Sequence, residues 1–485
     1  MLFRSIQELS KLYEKTLRAQ SEPLKNIIDL LKIFPGLVLP LELREESGLV
    51  HKALKAPAKE MNISRMLMSL ERITGGKDVR HYVRGFVLSQ TESADDISAG
   101  VRLSKKYLGK AVLPVVPLFE SAHSLSNSVT IIEEYLANKT AKDTCLRYWD
   151  GQLEVMLGYS DSAKENGSFS SRFLIFSAIS ELDRVISQEG LKPIFFHGSG
   201  GSIERGGGSI REQIEWWPPS ALAMMKMTMQ GEMIYRNYAS HEITQRQLDL
   251  LFSKSDEVKE PTVLSRQELS LLKRFADSTQ KAYRDIVSTP SFMELIELAT
   301  PYPFLKDLRL GSRPSKRQTT VDLKSLRAIP WVLCWTQTRC LFSTWWGVGT
   351  FWESLNQQEQ DEYRNLFLRS PLFSSYIKQL GFTLEKANLD IFSFYLSNSK
   401  LSDLEKTKYI DSFREEFTKS RHFVLSLTKQ SSLIWYRPWL EKSIYLRSPL
   451  IHPLSVLQVI ALERNEILLL RETVTGIASG MLTTG

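Results

Sequence analysis

Lys192-Pro193-Ile194-Phe195-Phe196-His197-Gly198-Ser199-Gly200-Gly201-Ser202-Ile203-Glu204-Arg205-Gly206-Gly207-Gly208 runs from a short apolar segment straight into glycine. Residues 192–196 read as a buried strand, short, aromatic and bounded by turn-formers. Six glycines among the eleven residues from Gly198 to Gly208 let a backbone bend into a cradle whose N–H groups face an anion. His197 and Arg205 lie in the same run. A titratable ring beside a fixed cation suits phosphate or carboxylate chemistry. A Gly/Ser-rich run is also the composition of a linker. Its neighbours favour the cradle: a strand precedes it, and the alternating Met225-Lys226-Met227-Thr228-Met229 follows it inside a folded domain. No Gly-Lys-Ser/Thr closes the run, so it is not a P-loop, and Ile203 occupies the place of the last glycine of the dinucleotide fingerprint.

Outward from this strand, four further strand candidates precede it. They are 37–43 (continuing into Arg44), 81–88, 111–119 (finishing at Glu120) and 153–158 (finishing at Tyr159-Ser160-Asp161). Helical periodicity fills the spaces between, for example over 126–148 and 170–189. Strand–helix alternation implies a parallel sheet or barrel. Arg44, Glu120, Asp161, Lys164 and His197 fall at or just after strand ends, which in a (β/α) barrel share one rim. Residues 1–36 read as a helical segment, 37–240 as a partial β/α barrel carrying the site, and 241–485 as almost entirely helical. The fold class expected is therefore α/β, an incomplete TIM-type barrel followed by a large helical part. The basic segment 311–318 interrupts that part, either as a solvated loop or as a mobile cover for an anion. Residues 253–264 read as an exposed connector.

Composition excludes several classes. An apolar share of 42 % is ample for a core in a chain of 485 residues. The net charge of +7 is spread among mixed Lys, Arg, Asp and Glu, which argues against nucleic acid and suits anionic metabolites. Cys145, Cys334 and Cys340 have no metal-ligand spacing and suit a reducing compartment. No signal peptide is read at the N-terminus. The most apolar window, Ile329 to Trp352, holds Gln337 and Arg339 and reads as core rather than a membrane span. A soluble, cytoplasmic protein is expected.

Glu120 and Asp161, ending separate strands, suit a shared Mg²⁺ or Mn²⁺ that keeps waters and a substrate oxygen; surface or salt-bridged carboxylates look the same in sequence. Arg44 and Arg327 suit a phosphate clamp or structural ion pairs. His197 suits an acid or base near neutral pH, or a structural role.

At these residues the chain resembles phosphoenolpyruvate carboxylase of the bacterial and plant type. The stretches that carry the likeness are VVPLFE ending at Glu120, EVMLGYSDSAK through Asp161 and Lys164, and FHGSGGSIERGGGS, close to that family's FHGRGG…GRGGGP. MTMQGEMI, GSRPSKR, SLRAIPWVLCWTQTR, LELREES around Arg44, SIYLRSPLIHPLSVLQ around Arg447 and GIASGMLTTG also fit in order. The resemblance implies conversion of phosphoenolpyruvate and bicarbonate to oxaloacetate and phosphate with Mg²⁺ (or Mn²⁺). Glu120 and Asp161 resemble the metal ligands. Arg44 and Arg327 resemble phosphate-gripping residues, and Lys164 one beside the metal-bound substrate. His197 resembles the histidine that assists carboxyphosphate breakdown. Gly200 and Gly201 belong to the substrate cradle, Arg205 and Arg313 to a mobile cover. Lys386, Arg447 and Arg205 resemble part of an aspartate effector site.

The departures from the family pattern are specific. Its large N-terminal portion and the histidine of a TAHPTE-type motif have no counterpart in this sequence. Ser199 replaces a cradle arginine, a loss of about 1.5–3 kcal/mol and hence about ten- to a hundredfold in anion affinity. Glu204 replaces a glycine beside Arg205, costing about 1–4 kcal/mol against an anion. Thr483 stands where the family has asparagine. An incomplete barrel leaves unpaired edges, so a separate N-terminal-half subunit is expected, with residues 1–36 patching the gap or self-association as alternatives and an oligomer expected. A noncatalytic metabolite-binding pseudoenzyme on the same scaffold is the other reading.

Overall fold

A computed structural model describes residues 2–35, 38–198, 214–224, 226–228, 234, 238–257, 263–305, 326 and 328–481. They are mixed α/β and mostly helical. Six parallel strands lie in sequential order, β1 to β6, consistent with an incomplete barrel followed by a helical part. Two compact units divide the chain.

The first unit comprises residues 1–119, 127–156 and 181–195. It opens with α1 (Leu2–Leu17) and α2 (Glu22–Ile33), which pack together and leave Leu9, Leu12, Leu17, Leu30 and Ile33 exposed. β1 (Leu41–Glu46) is followed by α3 (Ser47–Lys55) and α4 (Asn62–Thr74), then β2 (Val83–Ser89), α5 (Ala94–Leu108) and β3 (Val115–Phe119). β1 pairs with β2, and β2 with β3, in parallel. All of β3 and all of β2 except Arg84 are buried. Strands covered on both faces have no solvent side, which is why they read as unbroken apolar runs. A Cβ on Gly100 of α5 would lie 2.8 Å from Leu88 Cδ1 and 2.9 Å from Val115 Cγ1. Only glycine lets the helix come so close to the sheet. Ser93 and Asp96 cap α5 reciprocally.

Two details differ from the sequence expectation. The strand expected over 37–43 is β1 over 41–46, because Pro40 has no N–H for a ladder; Leu41 is the first to donate, to Tyr82 O at 2.8 Å. Arg44 therefore sits inside the strand, exposed and in register with Val87, and not at its end. The helix expected over 126–148 is two helices, α6 (Ala122–Ala137) and α7 (Lys139–Tyr148). Asn138 divides them by accepting the Thr140 N–H at 2.9 Å as an N-cap. Continuing along the chain, β4 (Gln152–Gly158), α8 (Tyr159–Asn166), α9 (Ser168–Gln188) and β5 (Lys192–Gly198) follow.

The second unit comprises 120–126, 157–180 and 196–485. After α10 (Pro219–Ala223), β6 (Lys226–Met227) pairs in parallel with the end of β5, His197 opposite Met227. The rest is helical: α11 (His241–Glu257), α12 (Arg266–Val287), α13 (Pro290–Ala299), α14 (Tyr302–Leu305), α15 (Ala328–Gln337), α16 (Phe342–Trp345), α17 (Val348–Glu353), α18 (Gln357–Arg369), α19 (Pro371–Lys386), α20 (Leu389–Ser397), α21 (Asp403–Thr428), α22 (Pro438–Arg464) and α23 (Ile467–Gly480). The apolar window at 329–352 is its core. Trp331, Trp335, Trp345 and Trp352 are buried, with Phe342 and Phe413 stacked at 5.4 Å. Gly349 of α17 meets α21 where a Cβ would be 2.4 Å from Ser420 N. Glu416 caps that contact, accepting the Gly349 N–H at 2.9 Å.

A buried polar network joins four helices. Tyr395 OH donates to Gln458 Oε1 at 2.8 Å, and Gln458 Nε2 donates to Gln337 Oε1 at 2.8 Å and Thr473 Oγ1 at 3.2 Å. Gln337 Nε2 donates to Val474 O at 3.1 Å. α22 is long and apolar enough to cross a membrane by length and composition, but contains Pro449 and Pro453.

Candidate active site at the end of β5

β4 runs directly into α8, so the first turn of that helix starts at the strand's end. Asp161 falls on this turn and Lys164 one turn later, an i,i+3 pair that faces the same side. Lys164 Nζ is 3.6 Å from Asp161 Oδ1; the lysine side chain is 1 % exposed and the aspartate 21 %. Nζ also donates to Leu326 O at 2.8 Å. A buried ammonium needs such partners, because desolvating it otherwise costs several kcal/mol. α8 is fixed from outside. Tyr283 OH donates to Lys164 O at 2.9 Å, and Gln280 Nε2 donates to Asn166 Oδ1 at 2.8 Å. Ser162 Oγ and Ser171 Oγ are 2.6 Å apart.

His197, the penultimate residue of β5, is fully buried. Its Nδ1 is 2.8 Å from Tyr159 OH. Its ring lies flat on Trp217, with centroids 3.6 Å apart and planes 9° from parallel. Trp216 meets Trp217 edge-on at 6.2 Å. Burial drives the imidazole pKa down to about 3, since nothing offsets desolvation of the cation. The near-neutral titration expected from sequence is therefore not found; the ring is neutral at pH 7. Burial also raises the Tyr159 phenol above its ordinary range, so it stays protonated. We assign its proton to the bond with Nδ1, which leaves the ring hydrogen on Nε2. That Nε2 has no hydrogen-bond partner among the described residues.

Glu120 follows β3 and is half-buried. The chain after it is held by reciprocal bonds between Ser121 and Ser124, with Ser124 N donating to Ser121 Oγ at 3.0 Å. Among the described residues, no three His, Cys, Asp or Glu groups are placed to hold a metal. Glu120 and Asp161 are the two carboxylates that the sequence reading assigned to a metal. All-oxygen donors of that kind fit a hard divalent cation that retains waters. Arg44 lies in the first unit, its Nη2 3.1 Å from Met156 Sδ. Gly200, Gly201, Arg205, Arg313 and Arg327 lie outside the described residues, as do Ser199, Glu204, Thr483 and the 311–318 segment. Sequence reasoning missed Tyr159 and Trp217. The one local signal was their composition, a tyrosine beside the acid-bearing turn and a paired Trp216-Trp217.

A second cluster involves Lys386 and Arg447. Together with Arg339, Ser448, Ile451 and Met481 they line a small pocket. Arg339, 1 % exposed, has a left-handed backbone with φ of 60°. Its Nη2 donates to Lys386 O at 3.2 Å and Ser448 Oγ at 2.9 Å. Its Nε and Nη1 have no partner among the described residues, and burial lowers its pKa to about 10. No carboxylate is among the lining residues. Three basic side chains thus border one small pocket. Lys386 and Arg447, which sequence reasoning grouped, line the same pocket, and Arg339, which it did not name as a site residue, is part of that lining.

A sequence model of the family described as phosphoenolpyruvate carboxylase matches residues 38–485. Phosphoenolpyruvate carboxylase from Xanthomonas oryzae pv. oryzae is 32 % identical, over 82 % of this chain and 46 % of the relative. The protein of the same name from Tolumonas auensis is 32 % identical, over 82 % and 47 %. That from Shewanella oneidensis is 33 % identical, over 82 % and 47 %. The chain thus spans about half the length of the curated relatives it matches.

Proposed function

The chain belongs to the phosphoenolpyruvate carboxylase family, and from that membership we propose that it converts phosphoenolpyruvate and bicarbonate to oxaloacetate and phosphate. Residues 37–240 carry the site in this reading, and 241–485 carry the cover and the effector region. Bicarbonate oxygen forms a bond to phosphorus as the enol C–O–P bond breaks, giving carboxyphosphate and the enolate of pyruvate. Carboxyphosphate then yields carbon dioxide and phosphate, and the enolate carbon bonds to carbon dioxide.

Glu120 and Asp161 are the residues that would hold Mg²⁺ (or Mn²⁺), whose positive charge, when bound, would offset the phosphate and enolate oxygens. Lys164 places a buried ammonium beside Asp161 and offers charge-assisted donation to the same oxygens. His197 supplies a neutral N–H at Nε2. Neutrality is useful here. With a pKa near 3, imidazolium is present at roughly one part in ten thousand at pH 7, so the ring can donate a hydrogen bond to a carboxyl oxygen without protonating the enolate to pyruvate. Trp216, Trp217 and Tyr159 keep this side of the site dry.

One observation carries the reading. The 2.8 Å bond from Tyr159 to His197 joins the histidine to the helix that bears Asp161 and Lys164. Gly200, Gly201, Arg205, Arg313, Arg327 and Arg44 would complete the phosphate grip and cover. We further propose that turnover needs the other half of the relatives' length, supplied by a separate subunit within an oligomer, and that the Arg339–Lys386–Arg447 pocket takes a carboxylate effector. The competing reading is a metabolite-binding protein without turnover, favoured by Ser199 and Glu204 in the cradle. The test is oxaloacetate and phosphate release from phosphoenolpyruvate, bicarbonate and Mg²⁺, with and without the unspanned half of a relative, against Asp161→Asn. Release that Asp161→Asn abolishes supports the enzyme. Saturable phosphoenolpyruvate binding with no release in either arrangement supports the competing reading.

A further inference from the structure

Arg172, on α9, is a buried cation that the site described above does not use. It is 4 % exposed, and its guanidinium is held by one face of α19. Nη1 donates to Ser375 Oγ at 3.2 Å, and Nη2 donates to Gln379 Oε1. Ser375 and Gln379 are i,i+4 neighbours on that helix. The serine hydroxyl donates in turn to Leu372 O at 3.1 Å, so its oxygen serves Arg172 as an acceptor. Tyr376, between them in the chain, meets Phe169 of α9 edge-on with centroids 4.8 Å apart. Both acceptors are neutral. A neutral amide donor could serve them at far less desolvation cost than a guanidinium, so the tie between helices does not by itself account for the charge.

The charge is seated next to the turn that bears Tyr159. Ser171, the preceding residue, has its Oγ 2.6 Å from Ser162 Oγ and 3.5 Å from Tyr159 O, so the start of α9 rests on the first turn of α8. Burial raises the Tyr159 phenol, and the Arg172 charge acts the other way, with a further lowering from the Trp217 side chain. Tyr376 is subject to the same opposition between burial and Arg172. We propose that Arg172 is a positioning residue for the reaction assigned above: held by α19, its charge polarises the Tyr159 hydroxyl toward His197 Nδ1 and so keeps the ring hydrogen on Nε2. The inference rests on that assignment of the site. A cation beside a phenol draws electrons from the O–H bond and makes it the better donor. Arg172 acts on His197 through Tyr159, so its effect must vanish when the phenol oxygen does.

Nitrogen chemical shifts of labelled histidine in the full chain test this without any need for turnover. Arg172→Gln keeps a donor for α19 and removes the charge, whereas Arg172→Lys keeps the charge and loses the fork. The His197 tautomer ratio is expected to move toward the Nδ1–H form by about two- to tenfold in Arg172→Gln. In Arg172→Lys it should stay within about twofold of wild type. In a Tyr159→Phe background, Arg172→Gln should add no further change. If Arg172→Gln does not fold, Ser375→Ala decides, because it leaves Arg172 in place with one tie fewer; the ratio should move in the same direction by a smaller factor, and an unmoved ratio overturns the inference. A ratio unmoved in a folded Arg172→Gln, with only the melting temperature lowered, assigns Arg172 a purely structural role and overturns it too. So does an Arg172→Lys variant indistinguishable from Arg172→Gln, or a further shift in the Tyr159→Phe background. In turnover, Arg172→Gln should lower kcat and leave KM within about twofold. A wild type that releases no oxaloacetate would overturn the assigned reaction, while the tautomer comparison would still decide what aims the ring.

Discussion

Replacing Tyr159 by phenylalanine removes one oxygen and tests the reasoning about His197 directly. The phenol is the sole described hydrogen-bond partner of the imidazole, at 2.8 Å, and both groups are buried. Deleting it leaves Nδ1 unsatisfied, a cost of about 1–3 kcal/mol in stability. The same bond holds the ring hydrogen on Nε2, and each 1.4 kcal/mol withdrawn shifts the tautomer ratio about tenfold. Nitrogen chemical shifts of labelled histidine read the tautomer without any need for turnover. In wild type, His197 is expected as the Nε2–H form and uncharged down to about pH 4, given a folded pKa of about 3. In Tyr159→Phe the two tautomers should approach equal populations, with kcat falling more than KM changes. The linkage has a definite sign. The folded pKa lies below the unfolded value of about 6.5, so the unfolded chain takes up the proton first. Stability from this residue is full above pH 6.5 and falls by about 1.4 kcal/mol per pH unit below it, until pH nears 3. His197→Gln should flatten that slope. Titration of His197 near pH 6.5 in the folded protein, or a Tyr159→Phe variant with unchanged tautomer and stability, would refute the account.

Three further outcomes follow from the geometry. Arg339→Met should abolish thermal stabilisation of the protein by millimolar aspartate or sulfate, while leaving phosphoenolpyruvate binding within about twofold; scanning calorimetry with each anion checks this. Gly349→Ala should destabilise by about 2–4 kcal/mol in urea melts, because the added methyl would sit 2.4 Å from Ser420 N and 2.5 Å from the Lys419 carbonyl carbon. Lys164→Met should weaken Mg²⁺-dependent substrate binding at least about tenfold by isothermal titration, since it removes the ammonium 3.6 Å from Asp161.

What sequence revealed divides along physical lines. β2, β3 and β5 were legible because strands sealed on both faces must be apolar throughout, and the tryptophan-rich window was legible as core because its polar residues had to be enclosed. Gln337 and Arg339 are indeed buried there. Local chemistry that competes with periodicity was harder to see. Pro40 displaced the start of β1, and Asn138 cut one expected helix into two, each through a single backbone N–H. Glu120, Asp161, Lys164 and His197 were singled out by position relative to strand ends, and they do lie at or just after the ends of β3, β4 and β5. Arg44 was misplaced by the same rule once the strand shifted. Tyr159, Trp217 and Arg339 act through partners 38, 20 and 109 residues away in the chain. Nothing in a local pattern separates such residues from an ordinary tyrosine, tryptophan or surface arginine.

The network of Tyr395, Gln337, Gln458 and Thr473 bears on how this protein can change over generations. The side chains share donors and acceptors, Gln458 Nε2 serving both Gln337 and Thr473, so a single replacement strands a neighbour in a dry interior. A compensated exchange must alter two or more codons together, through intermediates that fold less well. Helices α15, α20, α22 and α23 should accordingly drift as a block, inherited or lost as one, while the residues on their outer surfaces diverge freely.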